Sequence, residues 1–155
     1  MAFRRRFKPL FRRVAEDRYE IDLSMGQREL IDGLLDQLGE MMDSNSPALQ
    51  RLFPAPYGDD DERNAGYAVL AGAELIENRL AAIAGVRATL HSDSISDVEL
   101  NMWLRSINDL RLVIGTILDV TEDMDEPEDE SARELFHVYE HLGFILEHIV
   151  EALSG

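Results

Sequence analysis

Cysteine is absent from this 155-residue chain. That absence excludes disulfides, thiolate zinc sites, cysteine nucleophiles and thiol redox switches, and it suits a reducing cytoplasm, where the protein is expected to reside. Long apolar runs are missing too. No segment approaches the ~20 residues that a bilayer-spanning helix needs, so no membrane partner is expected. The opening "MAFRRRFKPLFRR" is too rich in arginine and too interrupted for a secretory leader. Gly-rich phosphate loops, GxSxG elbows and dinucleotide fingerprints do not occur in the sequence, so the chain reads as a non-enzyme with no cofactor.

Basic residues are scarce beyond the first 13 positions. Arg4, Arg5, Arg6, Lys8, Arg12 and Arg13 stand there without one acid. The other nine basic residues face thirty-one acids, so the rest of the chain carries about −22 within a total of −16. A body that acidic repels phosphate backbones, whereas the arm, residues 1–13, can attract nucleic acid or the acidic surface of a protein. Residues 14–155 are expected to form one helical domain.

What the chain has in quantity is helical periodicity. Tyr19, Ile21 and Leu23 alternate beside Val14 around Glu16 and Asp17, which predicts a small amino-terminal β-hairpin. Ser24 and Gln27 form a capping-box pattern ahead of Ile31, Leu35 and Leu38, predicting a helix over 24–43. Ser46 and Pro47 begin a short helix. A long amphipathic helix follows to about residue 90, with small residues such as Ala82 and Gly85 allowing close approach of its neighbours. Ser96 and Glu99 open the next helix, with Ile95 and Leu100 at staple positions. Ser131 and Glu134 are placed to cap the last one, after a loop region with nine acids between Asp119 and Glu134. The fold expected is mainly α: a compact domain of three long helices, one short helix and the hairpin.

Two groups of polar residues are candidate sites. On the last helix Glu134, His137 and His141, with His148 on the same stripe within about 40°, form an E-x-x-H arrangement. Di-iron bundles need such a pair on each of two helices, and this chain has one, placed about 120° from the apolar face. The stripe is therefore a weak metal candidate that would face solvent or a partner. The second group interrupts "WLRSINDLRLVIGTILDVTED", a helix apolar nearly all round and so expected at the centre of the fold. Arg105 and Asp109, four apart, can pair on its surface, while Asn108, Arg111 and Gly115 share a strip that needs polar partners if buried. The group reads as a register-fixing network or as a partner-binding patch.

This block resembles the W-L-x-x-x-N-D-x-R-L-x-x-G-T-x-L-x-V pattern of a bacterial family known as domain of unknown function 2017, matched by Trp103, Asn108, Asp109, Arg111, Gly115 and Thr116. The arginine-rich start, "YEIDLS", "LQRLFPAPY" and the terminal "VYEHLGFILEHIVEALSG" are similar in order and spacing. Members of that family are labelled oxidative-stress transcriptional regulators. The resemblance thus implies a regulatory protein acting by macromolecular binding, on the transcription machinery or on DNA through the basic arm, with the arm duplicated if the chain is a homodimer. The alternative is a protein–protein adaptor that never touches DNA, and a metal-dependent enzyme is a distant third.

Overall fold

The amino-terminal hairpin forms where the alternation places it. Its strands, β1 (Phe11–Ala15) and β2 (Arg18–Ile21), turn through Glu16 and Asp17 and pair antiparallel with Phe11 opposite Ile21. The computed structural model describes the backbone of residues 8–44, 61–118 and 127–155, and the side chains of 8–42, 75–118 and 127–155. The apolar anchor of β1 is Phe11, buried among core residues, while Val14 is 41% exposed next to an irregularity in register between Arg13 and Ala15. An unanticipated two-residue strand, β3 (Ser94–Ile95), pairs with β2 and completes a sheet of order β1-β2-β3. Two residues carry no periodicity from which such a strand could be read.

Among the described residues four helices form where the spacing places them, all of them long where three long ones are expected: α1 (Met25–Ser44), α2 (Asp61–Ala88), α3 (Asp97–Leu118) and α4 (Glu130–Ser154). The first has 20 residues and is thus comparable in length to α3, with 22. The short helix anticipated at Ser46 and Pro47, and most of the acidic loop, lie outside the described residues.

Helix starts follow side-chain chemistry. In α1 the Gln27 backbone N–H donates to Ser24 Oγ at 3.1 Å, and the Ser24 N–H donates to Gln27 Oε1 at 2.8 Å. The same reciprocal box joins Ser96 and Glu99 at α3, with Ile95 and Leu100 both buried beneath it. At α4 the cap moves upstream of the expected Ser131. Asp129 accepts from the Ala132 N–H at 3.0 Å, because an aspartate just after Pro127 and Glu128 meets the helix start two residues sooner.

One core joins these elements. Phe11, Tyr19 and Ile21 of the hairpin meet Ile31 and Leu35 of α1, Val86 of α2, Trp103 and Ile107 of α3, and Leu142, Ile145 and Ile149 of α4. Helix α3 packs against α1, α2, α4 and β2, the central position its apolar circumference requires. The crossing of α2 and α3 is close: a Cβ on Gly85 would collide with Met102 Sδ, so a larger residue there would displace the Met102 side chain.

Arg28, in the first turns of α1, is a fastening that helical periodicity conceals. It is 8% exposed, and its guanidinium donates to the carbonyls of Leu23 (3.0 Å), Leu90 (2.7 Å), Ser92 (2.9 Å) and Ile21 (3.4 Å). It thereby ties the end of β2 and the turn after α2 to the start of α1. No described helix is long and apolar enough to cross a membrane.

Candidate functional site

The polar residues of α3 separate by depth. Trp103 is wholly buried, donates from Nε1 to Thr89 Oγ1 at 2.9 Å, and meets the Phe11 ring edge-to-face with centroids 5.7 Å apart. Asp109 is buried as well, but its partner is not the Arg105 expected from the four-residue spacing. Arg79 of α2 donates from Nη1 to both carboxylate oxygens, at 2.6 and 2.7 Å. Helical spacing identifies neighbours on one surface, and here α2 covers the face on which Asp109 lies. Burial pushes the Asp109 carboxyl above its ordinary range, and Arg79 only partly pulls it back.

Arg105 and Asn108 remain exposed on the outer side of α3, so Asn108 does not belong to a buried network. Arg111 is half-buried, and its partner comes from α4. The guanidinium carbon lies 4.4 Å above the Tyr139 ring, with the side chain resting on Gly143, where a Cβ would approach Arg111 Nε to 3.0 Å. The polar partner expected for this strip is replaced by an aromatic face, and among the described residues Arg111 Nε has no hydrogen-bond partner. Thr116 turns its hydroxyl back to the Leu112 carbonyl at 2.9 Å, and Gly115 is buried.

At the amino-terminal end Arg4, Arg5 and Arg6 lie outside the described residues, and Lys8 is exposed. Arg12 and Arg13 are drawn into β1. Arg12 pairs with Glu20 across the hairpin at 2.8 Å, and Arg13 donates to the carbonyls of Glu16 (2.9 Å) and Ala15 (3.4 Å). The sheet adds Arg18, which the linear count of the arm misses because it follows two acids; its Nε donates to Ser94 Oγ at 3.2 Å. Lys8, Arg12 and Arg18 line a shallow cavity of about 260 Å³ together with Glu20, Asp22 and Asp93. The surface there is mixed in charge.

The histidine stripe of α4 borders α1 and the exit of the arm. Glu134 and His137 are exposed, His141 Nε2 lies 3.3 Å from the Gln27 side-chain nitrogen, and His148 Nδ1 accepts from the Leu10 backbone N–H at 3.0 Å. Phe144 lies between the two inner rings, stacked on His141 with centroids 6.3 Å apart and edge-on to His148 at 4.5 Å. Among the described residues no three His, Asp or Glu side chains are gathered as a metal set.

Comparison with known proteins agrees with the α3 block. A Mycobacterium leprae protein, named provisionally as oxidative stress regulator AosR, is 28% identical over 150 residues, covering 84% of this chain and 68% of its own length. The Mycobacterium tuberculosis and Mycobacterium bovis proteins named oxidative stress regulator AosR are each 26% identical over 136 residues, 76% of this chain and 62% of theirs. The chain thus spans about two thirds of the length of the curated relatives it matches. No solved structure shows significant similarity to it. The model of the family described as domain of unknown function (DUF2017) matches residues 4–153, nearly the whole chain, and the chain belongs to that family.

Proposed function

We propose that the protein is a non-enzymatic regulator that works by binding the transcription machinery, with its basic amino-terminal end as the contacting element. The relatives named as oxidative stress regulators support the regulatory part of this reading. The observation that carries the rest is the display of Lys8, Arg12, Arg13 and Arg18, all exposed, on a hairpin anchored through Phe11 to Trp103 of the family block. Rigid display lowers the ordering cost of binding. An acidic protein surface suits this element better than duplex DNA, because the body behind it is near −22 and the hairpin intersperses Glu16, Asp17 and Glu20 among its arginines. A link to oxidative stress does not run through a thiol of this chain, which has no cysteine.

The test pairs purified RNA polymerase with the full chain and with a variant carrying Lys8→Glu, Arg12→Glu, Arg13→Glu and Arg18→Glu. Binding of the native chain, weakened at least tenfold in the variant near physiological salt, is the expected result. Salt-dependent binding to duplex DNA, lost in the same variant, would transfer the role to DNA. Failure of the native chain to bind either would remove the reading and leave the adaptor alternative.

A further inference from the structure

A second surface lies on α3, away from the basic hairpin and independent of the role proposed for it. Val98, Met102, Arg105, Asp109 and Leu112 step by three or four residues and so share one stripe of the helix. That stripe lines a groove of about 780 Å³, to which α2 contributes Arg79 and Ala82 and α4 contributes Leu146 and Val150. From Val98 to Leu112 it runs about 21 Å at ~1.5 Å per residue, enough for a helix of roughly 14 residues. It stands open where α3 begins and α4 ends: Val98 is 65% exposed and Val150 47%. Apolar residues left exposed or half-buried on two adjoining helices, Val98, Leu104 and Leu112 of α3 with Leu146 and Val150 of α4, suit the apolar face of a further helix.

Charge selects the occupant. Arg79 is neutralised by Asp109 inside the groove, whereas Arg105 forms no ion pair among the described residues. The groove lining therefore carries two cations against one anion, a net positive charge on a strongly acidic protein. A second copy of this chain suits it poorly. Each copy brings −16, and a two-fold contact centred on α3 would press Arg105 against its own counterpart. We infer that the groove docks an amphipathic helix from a different protein, with apolar side chains at helical spacing and an acidic side chain facing Arg105.

A library of helical peptides displayed on a neutral scaffold, panned against the full chain, tests this directly. The expected winners carry apolar residues at i, i+3 or i+4 and i+7 and an aspartate or glutamate beside them. Arg105→Glu and Val150→Glu, both at exposed positions and checked for native melting, should each weaken those peptides at least tenfold, while Arg12→Glu leaves them unchanged. Failure to enrich any peptide over the Arg105→Glu protein overturns the inference, as does a winner indifferent to both groove variants. A self-association in sedimentation that the groove variants abolish would assign the surface to a second copy and also overturn it.

Discussion

At the scale of single residues, two charged side chains are held inside by opposite means. Arg28 satisfies its donors with four backbone carbonyls and no acid, so its removal strips hydrogen bonds from two separate segments at once. Charged hydrogen bonds contribute about 1.5–3 kcal/mol each and are not additive, so Arg28→Met is expected to cost roughly 3 kcal/mol or more, measured by urea unfolding. Asp109 depends on one partner, Arg79, which keeps a fifth of its own side chain in solvent. Arg79→Met should destabilise by about 2–3 kcal/mol, below the ~3–5 typical when a fully buried pair is broken. The pH dependence has a definite sign. The folded carboxyl lies above its unfolded value near 3.8, so the native state holds that proton more tightly. Its contribution to stability is therefore present in acid and declines as the pH rises from the unfolded value through the folded one. An NMR titration of the Asp109 carboxyl should show its midpoint above 3.8; a lower midpoint would reverse the sign. Acid unfolding of this protein must then come from its other carboxylates.

Among the elements, the hairpin is the one whose role changes most between the chain and the fold. As a string of residues, positions 1–13 are a basic arm; in the structure Phe11 is 1% exposed and packs on Trp103, while Arg12 and Arg13 belong to a strand. Phe11→Ala should cost about 3–5 kcal/mol as a large buried aromatic, read as a drop in the urea midpoint. Removing residues 1–13 as a block would thus confound loss of the basic end with loss of the core. Legibility along the chain followed local chemistry. The capping boxes at Ser24 and Ser96, the turn at Glu16 and Asp17, and the four helical stretches rest on contacts within a few residues, and all appear in place. The cap of α4 and strand β3 depend on which of several competent residues the neighbouring segments select, and no local pattern reveals that choice.

For the whole molecule, the distribution of charge and the placement of α3 set what the protein can do. The acidic body and basic end were already written in the composition, because net charge is a sum over residues and needs no coordinates. So were the helical class, the central place of α3, the family block and the exclusion of thiol chemistry, each of which depends on residue type or spacing alone. Tertiary structure alone decided that Asp109 turns to Arg79 across thirty positions, that Arg111 rests on Tyr139, and that Arg18 joins Lys8 and Arg12. It also decided that a groove lies between α2, α3 and α4. Partners in those contacts are far apart in the chain, and their choice rests on how helices cross and which faces they bury, information that no single segment holds.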